Sequence, residues 1–314
     1  MAFEVPSLAD QRLQELVDLY STTAEKLANG FEDMVDEDNP SNRFLEYTAL
    51  LALLLLLFQR SERWVQTNIT FYLTQADDSA IRSLSAIRPG AVFDPGLNTS
   101  TFRAITSDAT GHFFKARNLL EQYLGRVFRT LDLEQEFALL AAQIRAGDPS
   151  ADLEQLNRKL RKQLVRDFRK APVAVIGKGG KSTSFPLDYY AAMVAHNAKF
   201  QAQSLTMINR ALEVGHDLVQ ISPQPSLHGD WCDAYRGKVF SITGRTAGYA
   251  ALSELPNDGA PFHPWCRHTM GIFNPAGFSA EQLQELGNVD PRFLLNQSND
   301  FNTMVRSWWA SKRA

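Results

Sequence analysis

Residues 171–187, APVAVIGKGGKSTSFPL, decide the fold class. Two short runs, VAVI and STSF, are rich in β-branched and small hydroxylated residues and flank a Gly/Lys turn, the pattern of a β-hairpin. The turn also resembles part of a phosphate-binding loop. That motif needs Gly five residues before Gly180, where this chain has Val175, and Pro186 disturbs the helix start that would hold phosphates. A hairpin is the better account. Pro172 stops the helical pattern that precedes it. The chain therefore reads as α+β, with a mainly helical N-terminal half followed by a small α+β module.

Working downstream, residues 188–213 carry Met193, Val194, Leu205, Ile208 and Leu212 in a long helical pattern. DLVQIS and KVFSI read as short strands. SAEQLQEL opens with Ser279 and Gln282 in capping-box spacing, and FNTMVRSWWASKRA reads as a short aromatic helix. Working upstream, Leu13, Leu16, Val17, Tyr20, Ala24 and Leu27 predict a helix that Gly30 is placed to stop. Residues 74–111 hold the turn formers of RPGAVFDPGLNTST and predict a long irregular crossing. Helical periodicity returns at Phe113–Val127, over 134–145, and over 153–168. The expected domains are 1–171, helical; 172–275, α+β; and 276–314, a helical tail.

Composition is that of an ordinary globular protein: 314 residues, 44% apolar, 21% charged, net charge −3. Nothing in that balance points to a global field for nucleic acid or an anionic membrane. Two cysteines in this length predict a reducing compartment rather than a disulfide scaffold. The first residues, MAFEVPSLADQRLQEL, lack the basic and apolar regions of a secretory signal.

Two segments invite partner readings. The uncharged run from Ala49 to Phe58 is about half of the ~20 residues a membrane-spanning helix needs. Leu at nearly every position predicts a helix buried on all sides, in a core or an interface, with no stable membrane span. Arg158, Lys159, Arg161, Lys162, Arg166, Arg169 and Lys170 set seven cations on one predicted helix against a single Asp167. Such a stripe fits packaged double-stranded DNA, an acidic partner or solvent.

The sharpest cluster is APFHPWCRHTM, residues 260–270, with Cys232 thirty-four positions before Cys266. Zinc takes four soft or borderline ligands, often as two close pairs. Cys232, His263, Cys266 and His268 supply such a set, with His228 a further candidate. Packed thiols and a Cys232–Cys266 disulfide are the alternatives. Catalysis is the least favoured: the zinc-deaminase patterns are absent, and Asp230 and Asp233 flank Cys232 at the spacing of an exposed turn. No catalytic residue is assigned, and the cofactor expectation is none or a structural zinc.

DYYAAMVAHNAKFQAQ, GHDLVQIS, HGDWCDAYRGKVFSITG and PFHPWCRHTMGIF occur in an order that resembles the minor capsid or head-morphogenesis proteins of tailed phages, related to the phage Mu F-type (MuF) domain. The resemblance covers about residues 171–275. Cys232, Arg236, Gly237, Val239, Ser241, His263, Cys266, Arg267 and His268 stand at its signature positions. Many members carry a second Cys shortly after the first, where this chain has Asp233 to Arg236, and some carry Arg-Thr near Ala195–Asn197. The resemblance implies a low-copy virion protein of the head interior or portal vertex, assembled in the host cytoplasm with the portal and other head proteins, and involved in head morphogenesis, DNA packaging or ejection. A virion-carried effector ejected with the DNA, or a zinc-binding adaptor, are the alternatives.

Overall fold

The computed structural model describes residues 10–36, 39–132, 173–176, 182–226, 229–263 and 265–295. The predicted helices over 134–145 and 153–168, the basic residues Arg158 to Lys170, His228 and the aromatic C-terminal segment lie outside them. Among the described residues the chain is mostly helical, with a small three-stranded antiparallel sheet and a hairpin. It divides into two compact units, each built from two segments: Met1–Val65 with Ala109–Val194, and Gln66–Asp108 with Ala195–Ala314.

In the first unit, helix α1 (Gln11–Asp36) packs Leu13, Leu16, Tyr20, Leu27 and Phe31 into a core shared with α2 (Pro40–Ile87) and α3 (Thr99–Asp132). The Tyr20 ring lies 5.7 Å from Phe113 and 6.5 Å from Phe58. Its hydroxyl meets Ser61 Oγ at 2.7 Å, so the polar tip is satisfied where it is buried. Gly30 does not end α1. It lies inside the helix, where a Cβ would meet Leu50 Cδ2 at 3.0 Å, so the glycine permits a close helix approach. Strands β1 (Val173–Ile176) and β2 (Ser182–Phe185) pair antiparallel as the expected hairpin. Helix α4 (Leu187–Glu213) begins beyond them.

The Leu-rich run is not buried on all sides. Leu50, Leu54, Leu57 and Phe58 face the core, while Leu55 and Leu56 are 42% and 45% exposed and Leu45 is 62% exposed. An unbroken Leu run hides the helical period, so only packing reveals which side is inside. Among the described residues, one helix, from Ser41 to Ile87, is long and apolar enough by length and composition to cross a membrane, with 28% of its most apolar window buried.

The second unit corrects the expected irregular crossing over 74–111. α2 runs on to Ile87 with Ala76, Ala80 and Leu84 on one buried face, and α3 begins at Thr99. Only residues 88–98 are non-helical, where Pro89-Gly90 and Pro95-Gly96 cluster. Arg210 of α4 is buried and holds this corner: its guanidinium meets both oxygens of Asp77 at 2.6 and 2.7 Å, Glu213 at 2.8 Å and the Asp94 carbonyl at 2.8 Å. Here α4 buries small residues, Ala195, Ala198, Ala202 and Ala211, while Leu205 and Leu212 of the predicted apolar set stay exposed.

The sheet has the order β4-β3-β5, antiparallel throughout, with β3 (Leu218–Ile221) central between β4 (Val239–Ser241) and β5 (Met270–Ile272). Val219, Ile221 and Phe240 face a core closed by Trp231, Tyr235, Leu255 and Phe262. The loop after β4 is tied to Asp217, whose carboxylate accepts from Ser241 Oγ, Thr246 Oγ1 and the Thr243 amide. Helix α5 (Ala280–Gly287) begins with the expected capping box between Ser279 and Gln282.

Candidate metal centre

Cys232 sits on a single 3-10 turn, Trp231–Tyr235, that hangs between β3 and β4. The turn must reverse the chain within a few residues. Gly237, at φ 72°, provides the left-handed step, and its amide donates to the Ile221 carbonyl as β4 begins. On the other side, the strap 259–269 leads into β5. The Cys266 amide closes a turn onto the His263 carbonyl, and Thr269 and Ser222 exchange hydrogen bonds that fix the register of β5 on β3. The sheet thereby carries the strap over the 3-10 turn.

The result brings together three of the four residues expected to bind metal. One donor atom each from Cys232, His263 and Cys266 lies within 4.8 Å of the others. His263 Nε2 is 3.2 Å from Cys232 Sγ. Both thiols are free and buried, at 0% and 1% exposure, so they form no disulfide. The two thiols shift each other: the neighbouring Cys232 and then His268 hold Cys266 down against its burial, while Cys266 and burial push Cys232 up.

His268 stands beside this group rather than in it. It is fully buried, with Nδ1 3.5 Å from Cys266 Sγ and Nε2 3.6 Å from Asp233 Oδ1, at which distance Nε2 makes no hydrogen bond. Asp233 is fixed by Ser226, whose amide and hydroxyl donate at 2.8 and 2.9 Å. The other signature cations, Arg236 and Arg267, are exposed. Arg267 makes no side-chain hydrogen bond or ion pair among the described residues.

The sequence reading gave no role to His196 and set Asp230 aside. His196 of α4 lies 3.1 Å from the Cys266 carbonyl, between Trp265 and Phe200; burial pushes it down to about 4, so the neutral imidazole donates from Nε2. Asp230, expected on an exposed turn, is 7% exposed, with Oδ2 4.0 Å from His263 Nε2. Nothing in the spacing marks His196, which lies 70 residues from its partner. Asp230 was visible, but a carboxylate beside a turn residue is commonplace.

The group is compatible with a structural metal: two sulfurs and an imidazole are a zinc-type donor set, and one donor atom of each lies within 4.8 Å of the others. No family model, curated protein or solved structure matches the chain.

Proposed function

We propose that this chain is a minor structural protein of a tailed-phage head, associated with the portal, and that zinc held by Cys232, His263 and Cys266 fastens its C-terminal module. The observation that carries this reading is the convergence of signature residues. Positions of the MuF-type pattern that lie 31 and 34 residues apart in sequence come within 4.8 Å in space. Burial of both thiols supports a fastening role over a nucleophilic one, because a substrate carbonyl or phosphate has no path to a sulfur at 0% or 1% exposure. A bound zinc would fix the 3-10 turn to the strap and so add its binding free energy to the fold.

In this role the first unit, with Leu45, Leu55 and Leu56 on its surface, offers an apolar helix face to neighbouring head proteins. The basic segment 158–170 would meet packaged DNA. The deciding experiment is co-assembly with portal rings from the same source, followed by quantitative mass spectrometry of the particles. A fixed low copy number in the particle is the expected result. Particles that assemble fully and never retain the chain would overturn the head role, and zinc-free protein with two reactive thiols would remove the metal.

A further inference from the structure

We propose that Asp230 is the fourth ligand of this centre, completing a zinc site of two thiolates, one imidazole and one carboxylate, and that His268 acts from outside the metal by donating to the Cys266 thiolate. The inference rests on the metal reading above and goes beyond it by choosing between two candidates for the open position.

Three observations favour Asp230. First, its carboxylate is buried and has no hydrogen-bond partner among the described residues, although it occupies the N-cap position of the 3-10 turn, where an aspartate ordinarily accepts from the following amides. The backbone amide of Asp230 is satisfied by Ser226 Oγ at 2.5 Å, yet the side chain turns toward His263 instead. The carboxylate thus faces the His263 ring with no donor of its own, which leaves both oxygens available to a cation. The guanidinium groups on the same elements, Arg236 and Arg267, are exposed and do not reach it.

Second, the distances approach a tetrahedron. Zn–S of about 2.3 Å and Zn–N or Zn–O of about 2.0 Å give ligand-to-ligand edges of roughly 3.3 to 3.8 Å. Cys232 Sγ to His263 Nε2 is 3.2 Å, close to its edge, while His263 Nε2 to Asp230 Oδ2 is 4.0 Å, longer than an N–O edge, and Asp230 lies just outside the group of three donors. Zinc binding would require the Asp230 side chain to move inward to close the longer one.

Third, His268 already faces a ligand sulfur through one ring nitrogen. Its Nδ1 lies against Cys266 Sγ and its Nε2 faces Asp233, which Ser226 holds in place. A histidine wedged between a ligand sulfur and a fixed carboxylate is placed to orient the thiolate and offset its charge, the role that outer hydrogen bonds play around zinc.

The test is zinc-edge X-ray absorption on the zinc-loaded full chain, which counts sulfurs and imidazole rings, together with chelator competition on two variants. The expected result is two sulfurs, one imidazole and one light oxygen neighbour. Asp230→Asn should weaken zinc by at least about 100-fold, and His268→Gln by about 10-fold without changing the ligand count. Two imidazoles in the absorption spectrum would overturn the assignment while leaving the metal centre intact. Unchanged zinc affinity in Asp230→Asn would overturn it too, because the oxygen would then be water. Wild-type protein that binds no zinc at all would take down the metal reading and this one together.

Discussion

Arg210 and Asp217 show how single polar groups are kept inside the second unit. The Arg210 guanidinium is buried and spends its donors on Asp77, Glu213 and the Asp94 carbonyl. Arg210→Met keeps the aliphatic stem but leaves Asp77 and Glu213 without their cation. The expected cost is about 3 kcal/mol, at the low end for a broken buried pair because Asp77 remains partly wetted, read from urea unfolding at neutral pH. Asp217 makes a different prediction. Burial alone would raise its pKa, but hydrogen bonds from Ser241, Thr246 and Thr243 overcome that and lower it from 3.8 to about 2. The folded value lies below the unfolded one, so its stabilisation is complete above about pH 4 and is lost as pH falls toward 2. Wild-type protein should therefore lose stability over that window more steeply than Asp217→Asn, which at neutral pH should itself be about 1 to 3 kcal/mol less stable. Parallel acid limbs in the two proteins would contradict this account. At the same scale, Cys232, His263 and Cys266 were legible because metal-ligating residues are scarce and these cluster in sequence. Asp230 was not, since only the folded turn buries it.

Elements were legible where their signals were local. The hairpin and β3 and β4 are short β-branched runs bounded by breakers, and α5 carries its own cap. β5 was missed because Met-Gly-Ile has little intrinsic strand preference; it is a strand because β3 offers it an edge. The end of α1 was misplaced because Gly30 is used for packing rather than for termination. The extension of α2 through 74–87 was hidden by the proline-glycine pairs that follow it. The Leu run gives the clearest test of element-scale reasoning. Leu54 is fully buried and Leu55 is 42% exposed, although sequence alone treats them alike. Leu54→Ala should cost about 2 to 5 kcal/mol through the cavity it leaves, and Leu55→Ala less than about 1 kcal/mol in the isolated protein. Equal costs in thermal or urea unfolding would mean that the helix is enclosed on both sides.

At the scale of the molecule, the division into two units would give a bound metal a local job. Cys232, His263 and Cys266, with Asp230 and His268, all belong to the second unit, and the sulfurs pack into the same core as Val219, Phe240 and Met270. Among the described residues, nothing in the first unit contributes to that cluster: its core is Tyr20, Leu54, Phe113 and Leu120 on three helices. Zinc at a free concentration 100 times its Kd would add about 2.7 kcal/mol to whatever folds with it. Stripping the metal should then raise amide exchange across β3, β4, β5 and the 231–235 turn by roughly 100-fold, since that free energy sets the opening equilibrium. Exchange in α1 and in the first turns of α2 should stay the same. Hydrogen exchange read by mass spectrometry, with and without a chelator and at constant pH, separates the two sets of peptides. Acceleration spread evenly over both units would show that they open as one and that the centre stabilises the whole chain. No change in the sheet peptides, with zinc shown to be removed, would leave the two thiols and His263 as packing groups whose proximity serves the core alone.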